Sequence, residues 1–361
     1  MTQDAAGTGF WAIVPAGGAG TRLWPLSRRD EPKFLHDLTG SGRSLLQQTV
    51  DRLAPLAGER VVVVTGEAHA AAVRAQLPAA VADRVLAEPS PRDSMAAIGL
   101  AAAIVERDDP DGVVGSFAAD HVIADTDAFA AGVRRAVAVA RDGWLVTLGV
   151  TPTYAATGFG WIERGAGLGD HDGAFAVSSF VEKPDAARAE GYLAGGRHLW
   201  NAGMFVARAD VLLDLLALEH PDFAASLRAL AADPATLGEV WPTLPRIALD
   251  HAVAEPAGDA GRVAVVPAAF DWEDVGDFAA LASLQPERPA GPRVLGDAEL
   301  VRSVDATGLV VPAAGRTVTV VGLDDVVVVD TGDALLVTTT ARAQDVKRLV
   351  ADLAETRPDL L

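Results

Sequence analysis

The chain of 361 residues contains no cysteine. That absence removes disulfide frameworks, thiolate catalysis, Cys-ligated zinc and iron–sulfur clusters together. Long apolar runs are missing too. The least polar stretch, Met95–Val105, is mostly alanine and glycine and falls well short of the roughly 20 residues a bilayer span needs. Residues 1–10 lack the basic start and apolar body of a secretory signal, so the cytoplasm is the expected location. Positive charge is also short, with 30 Lys+Arg against 49 Asp+Glu, a net charge of −19 and a pI near 4.7. Such an acidic balance argues against nucleic acid or a membrane surface as partner. An anionic substrate must then be held by local cations or a metal.

Several catalytic signatures are absent as well. The opening glycine loop, Gly17-Gly18-Ala19-Gly20-Thr21-Arg22, runs into Leu23 where a dinucleotide fingerprint needs its third glycine. It also lacks the Gly-Lys-Ser/Thr of a P-loop. Neither H-E-x-x-H nor G-x-S-x-G occurs. Dehydrogenase, P-loop NTPase, zincin and serine hydrolase readings all lose support.

Half the residues are apolar, enough for a large folded core. Ile13-Val14-Pro15-Ala16 reads as the end of a buried strand. Ser44 caps a helical stripe (Leu45, Leu46, Val50, Leu53), and Val61–Val64 is a continuous β-branched run. Strand–helix–strand without alternating polarity marks a buried, doubly wound parallel sheet. Ser94 is expected to cap a small-residue helix over Met95–Val105, and Thr126 a helix through Val137. From Pro152 onward, short strands and glycine turns suggest a substrate-side insertion on the same domain. Gln285–Arg293, QPERPAGPR, reads as a linker. The expected organisation is a catalytic domain over 1–285, a linker over 286–293 and a small β-rich domain with a terminal helix over 294–361. The valine-rich strands of that last domain permit a homodimer contact.

The chemistry-bearing residues are phosphate-directed cations, Arg22, Lys33 and Lys183, and two carboxylates at strand ends, Asp120 and Asp274. A glycine loop can turn backbone N–H groups onto an anion. Mg²⁺ needs only one or two carboxylates when substrate phosphates complete its shell. Taken singly, each residue has a plainer role: Lys33 and Lys183 as solvated charges, Asp120 as a turn cap, Asp274 as one of a run of surface acids, Asn201 as a turn residue. Their joint occurrence favours metal-assisted transfer at phosphorus.

The segments AGGAGTRLWPLSR with Pro32-Lys33-Phe34-Leu35, EPSPRDSMAAIGLA, AADH, GFGWIE, FVEKP, WNAGMF, DWEDVGDF and VVGLDDVVVVDTGDALLV with QDVKRLV resemble the sugar-phosphate nucleotidylyltransferases, in their mannose-1-phosphate branch. They run in family order along nearly the whole chain. The resemblance implies a Rossmann-like mixed sheet with a β-helix-like C-terminal domain, and transfer of GMP from GTP to mannose 1-phosphate. It places the nucleotide on Ala16, Gly17, Gly18, Gly20 and Thr21, with Arg22 and Lys33 on the triphosphate and Glu88, Arg92 and Ser94 near the guanine. It puts Mg²⁺ on Asp120 and Asp274, the mannose on Gly160, Glu182 and Asn201, and the sugar phosphate on Lys183. Asp93 stands where the family commonly has asparagine, which bears on base preference. The chain ends at Leu361 without the isomerase-type domain of longer relatives, so no isomerase activity is expected. Rival expectations are another sugar 1-phosphate or nucleotide, or a catalytically silent regulatory paralogue.

Overall fold

The computed structural model describes residues 9–18 and 20–361. The secretory-signal reading, which rests mostly on residues 1–8, and Ala19 of the glycine loop lie outside the described residues.

Local sequence rules set the helix starts. Before α1 (Leu45–Ala57), the Ser44 N–H donates to Gln47 Oε1 at 3.0 Å, while Gln47 N–H donates to Ser44 Oγ at 3.2 Å. This reciprocal pair satisfies two of the donors that a helix start leaves open. Two other starts differ from expectation. Helix α2 (Asp93–Asp108) begins one residue before Ser94, whose hydroxyl instead accepts the Leu249 N–H at 2.9 Å. Helix α3 (Thr126–Arg141) is capped by Asp125, whose carboxylate accepts from Ala128 N–H.

The chain forms two compact units. One comprises the stretch to Gly17, Thr49–Ala119 and Ile123–Trp272. Its strands are β1 (Phe10–Ala16), β2 (Val61–Gly66), β3 (Val85–Glu88), β4 (Val113–Ser116), β5 (Leu145–Val150), β6 (Gly160–Gly167), β7 (Phe175–Glu182), β8 (His198–Arg208) and β9 (Val263–Ala268). They make one mixed sheet of nine in the order β3-β2-β1-β4-β8-β5-β9-β7-β6. The β-branched runs at the centre pair in parallel, β1 with β2 and β4, while β8 runs antiparallel to both β4 and β5. The segment after Pro152 thus adds its strands to the same sheet, as the sequence suggests. Helix α2 packs with α4 (Ala209–Glu219) and α5 (Pro221–Ala232). Its small residues permit close approach, since a Cβ on Gly99 would fall 2.6 Å from Leu227 Cδ1.

The other unit comprises Gly18–Gln48, Asp120–Val122 and Glu273–Leu361. It differs from the linear division expected from sequence, because the loop after the first strand shares a core with the C-terminal residues. Leu23, Trp24 and Leu38 are buried with Phe278 of α6 (Phe278–Leu284) and with Leu309, Val327 and Val329. At the start of the proline-rich segment, buried Gln285 donates from Nε2 to the Leu38 carbonyl at 2.8 Å. The C-terminal strands are β10 (Arg293–Val294), β11 (Val301–Val304), β12 (Gly308–Val311), β13 (Val318–Val321), β14 (Val326–Asp330) and β15 (Leu335–Thr339). They form a four-stranded sheet, β10-β12-β14-β15, and a pair, β11-β13, in which only β15 runs antiparallel. Helix α7 (Val346–Thr356) follows.

Gly308 is where β12 meets β14 most tightly: it has φ +119°, and an added Cβ would lie 1.9 Å from the Val326 carbonyl oxygen. Strained backbone and overpacking each typically cost about 1–3 kcal/mol. Gly308→Ala should therefore lower unfolding free energy by about 3 kcal/mol in chemical denaturation. Gly332→Ala, where nothing lies within 4 Å of the new Cβ, should leave it nearly unchanged.

Candidate active site

The second unit contains a cavity of about 380 Å³ lined by Gly20, Thr21, Arg22, Lys33, Asp120 and Asp274, together with His121, Val275, Gly276 and Lys347. Lys33 is buried in its wall. Its side chain is 9% exposed, its Nζ is 2.6 Å from Asp120 Oδ2, and it donates to the Asp274 carbonyl at 2.6 Å. Burial alone would raise the Asp120 pKa, but the adjacent Lys33 ammonium, with His121, holds it below the usual carboxylate value. Gly20 makes this approach feasible. It sits at φ +58°, and a Cβ there would be 2.8 Å from Lys33 Cβ. Arg22 NH1 donates to the Gly276 carbonyl at 3.3 Å, leaving most of its guanidinium donors for a ligand.

The Asp274–Gly276 turn is itself strained. Val275 is fully buried at φ +48°, a region that a β-branched residue rarely adopts. Glu273 has its pKa raised by burial and then by the Asp274 charge. On the far side of Gly276, Asp277 caps α6 through Ala279 and Ala280 N–H and accepts a hydrogen bond from Gln344 Nε2.

The donor set fits a hard divalent cation that shares its shell with phosphate. Asp120 and Asp274 line one cavity, whereas no cluster of three or more His, Cys, Asp or Glu able to cage a metal occurs among the described residues. Mg²⁺, which keeps waters and substrate phosphates in its shell, matches such a pair better than a metal needing an all-protein cage.

In the first unit, a second group forms where β6, β7 and β8 pair. Gly160 is opposite both Glu182 and Asn201 in register, and a Cβ on it would fall 2.6 Å from Glu182 Oε2. Lys183, at φ +47°, places Nζ 2.9 Å from Glu182 Oε1. That hydrogen bond raises the Lys183 pKa, as do the charges of Asp250 and Asp93. Asn201 is buried and oriented: its Oδ1 accepts from Thr147 Oγ1 and Gly203 N–H, both at 3.1 Å, and its Nδ2 donates to Asp250 Oδ1 at 2.7 Å.

The remaining expected nucleotide contacts in this unit occupy the parallel half of the sheet and its flank. The Ala16 carbonyl accepts from Thr65 Oγ1 at 2.8 Å, Gly17 is exposed, and Glu88 ends β3 half-buried. Burial pushes the Glu88 carboxyl up to about 7. Arg92 donates to the Pro242 carbonyl, and Ser94 holds Leu249. In the second unit Gly18 is exposed at φ +86°. Two residues escaped the sequence reading. Asp250 opens a π-helical turn, Asp250–Ala254, far along the chain from Asn201. Lys347 lies in the first turn of α7 and faces the Lys33 cavity; the QDVKRLV segment that carries it was a visible signal.

A family model described as nucleotidyl transferase matches residues 11–289, and one described as a MannoseP isomerase/GMP-like beta-helix domain matches 299–353. Among curated proteins, mannose-1-phosphate guanylyltransferase of Escherichia coli is 38% identical over 357 residues, covering 95% of this chain and 73% of that protein. Xanthan biosynthesis protein XanB of Xanthomonas campestris is 39% identical over 350 residues, covering 94% and 72%. A solved structure described as mannose-1-phosphate geranyltransferase from Thermus thermophilus matches with a TM-score of 0.85 at 33% identity, over 96% of this chain and 99% of that one. The chain thus belongs to the nucleotidyl transferase family, in the group that includes the mannose-1-phosphate guanylyltransferases.

Proposed function

We propose that this chain transfers GMP from GTP to mannose 1-phosphate, releasing pyrophosphate and forming GDP-mannose in the cytoplasm. The observation that carries this reading is the cavity joining Arg22, Lys33, Asp120 and Asp274, in a chain whose relatives include named mannose-1-phosphate guanylyltransferases. An oxygen of the sugar phosphate bonds to the α-phosphorus of GTP. The α–β bridging P–O bond breaks, and its electron pair leaves with pyrophosphate. The nucleophile is already anionic, so no general base is required. What must be overcome is repulsion between two polyanions and the entropy of aligning them.

Each group has a part in that task. Arg22 offers its unspent donors to the triphosphate, beside the backbone of Gly20 and Thr21. Lys33 holds Asp120 ionised and in place. Mg²⁺ held by Asp120 and Asp274 would supply neutralising charge to the phosphate oxygens. Lys183 takes the sugar phosphate. Glu182 and Asp250 accept sugar hydroxyls, and Asn201 orients Asp250 through the 2.7 Å hydrogen bond. Glu88 is assigned to the guanine, whose ring N–H and amino groups suit a carboxyl oxygen as acceptor.

Pyrophosphate release should be greatest for GTP with mannose 1-phosphate, and should need Mg²⁺. It is to be measured across GTP, ATP, UTP and dTTP with mannose 1-phosphate or glucose 1-phosphate. Preference for another pair would reassign the substrates, and no turnover despite GTP binding would mark a silent paralogue. Asp120→Ala should abolish metal-dependent turnover; retained wild-type release would refute the metal assignment. Lys183→Ala should raise the KM for mannose 1-phosphate far more than that for GTP. Removing one charge-stabilising group of this kind typically costs on the order of 10²–10³ in rate.

The burial of Glu88 gives a pH signature. Its folded pKa of about 7 lies above the ordinary value of 4.5, so the neutral acid is favoured in the folded chain. That contribution to stability is full below the unfolded pKa and is lost as pH rises through about 7. Denaturation midpoints of Glu88→Gln should accordingly fall less steeply across this window than those of the parent; identical slopes would assign the pH dependence to other groups.

The exposed Val304 and Val321, opposite each other in the β11–β13 register, and Leu323 suit a contact with a second copy. Sedimentation should show a dimer that Val321→Glu dissociates. A monomeric parent chain would contradict this.

A further inference from the structure

Lysine is scarce in this protein: Lys33, Lys183 and Lys347 are its three lysines, against 27 arginines. A chain that almost always uses guanidinium for positive charge carries ammonium at three positions. Two of these carry roles in the proposed reaction. The third has none so far, yet it lines the same cavity as Arg22, Lys33, Asp120 and Asp274.

The surroundings of Lys347 are not those of an ordinary surface lysine. It has no ion-pair or hydrogen-bond partner among the described residues, although acidic residues far outnumber basic ones. Its neighbours do pair: Arg342 binds Asp345, and Arg348 NH1 lies 3.7 Å from Asp345 Oδ1. Lys347 also occupies the first turn of α7, the end of a helix where a cation is disfavoured by the backbone dipole. Its position is nonetheless well fixed. Ala343 and Val346 are buried in the core that includes Val275 and Phe278, and Gln344 bonds to Asp277, next to Gly276.

The other cations show what Lys347 can add. Lys33 is committed to Asp120 and to the Asp274 carbonyl, so it acts mainly on the protein. Arg22 and Lys347 are the cavity-lining Arg and Lys side chains with donors left for a ligand. A compact ammonium on a flexible stem can follow phosphate oxygens that move as a bond breaks, which a rigid planar fork does less well. An exposed lysine at the cavity wall, not caged by carboxylates, suits a polyphosphate end that must also depart.

We propose that Lys347, on the C-terminal helix, is a ligand of the β- and γ-phosphates of the nucleotide, and so of the pyrophosphate that leaves. The proposal rests on the guanylyl-transfer reading and makes the C-terminal segment part of the active site as well as of the core. The positive charge removed by Lys347→Gln is lost only to ligands that carry those phosphates. GMP, which lacks them, provides the internal control.

Calorimetric titration of the full chain with Mg²⁺ present tests this, using inorganic pyrophosphate, GTP and GMP as probes. Lys347→Gln should weaken pyrophosphate and GTP about tenfold or more, the range of a charge-assisted hydrogen bond, and leave GMP within about twofold. Lys347→Arg should recover most of the loss, and Arg348→Gln should match the parent chain. In turnover, Lys347→Gln should raise the KM for pyrophosphate in the reverse reaction without changing that for mannose 1-phosphate. Unchanged pyrophosphate and GTP affinity would overturn the proposal while leaving the guanylyl-transfer reading intact. Equal weakening of GMP would overturn it in favour of a general field effect. A parent chain that binds neither GTP nor pyrophosphate would overturn both.

Discussion

One ammonium group, that of Lys33, governs the layout of the second unit. Removing a lysine from water is costly unless its charge is paired and its donors are used, and Lys33 meets both conditions within 2.6 Å, through Asp120 and the Asp274 carbonyl. Three remote segments are tied together by that requirement. Gly20 must lack a side chain to let Lys33 through. The Asp274 backbone must turn its carbonyl inward, which accompanies the left-handed Val275. Asp120 must stay ionised. A buried pair of this kind is weak evidence for stability, and its value here is positional: it fixes the Asp120 carboxylate and the Asp274 main chain.

The first unit follows a related logic with an amide in place of an ammonium. Asn201 spends both lone pairs of its carbonyl oxygen on Thr147 and Gly203, which aims its NH₂ at Asp250. Burial and the nearby Glu182 raise the pKa of Asp250, a cost that a donor from a sugar hydroxyl would offset. Two acidic groups, Glu182 and Asp250, thus lie close enough to Lys183 to act on its charge.

Much of this was legible in the sequence, for identifiable reasons. The continuous β-branched run Val61–Val64 and the Ser44–Gln47 cap are local signals, and the structure realises both. The parallel half of the sheet follows from the strand–helix alternation, whereas its mixed character was implied by the family resemblance alone. Less was visible wherever the cause is nonlocal. The packing of Leu23, Trp24 and Leu38 with Leu309, Val327 and Val329 leaves no periodic trace, so a proline-rich stretch looked like a boundary. Asp250 is brought to Asn201 by a π-helical turn that no spacing rule announces. Lys347 is an exposed lysine of α7, and only the fold brings it to the cavity wall. Ser94 looked like a cap because the residue type fits, but tertiary contact with Leu249 claimed its hydroxyl.

In the proposed reaction an oxygen of mannose 1-phosphate attacks the α-phosphorus of GTP. Phosphorus NMR of the product made from GTP and mannose 1-phosphate, with ¹⁸O at the peripheral phosphate oxygens, tests it most directly. Direct attack gives GDP-mannose with ¹⁸O in the bridge between its two phosphorus atoms, and unlabelled pyrophosphate. An unlabelled bridge, or label in the pyrophosphate, would contradict it.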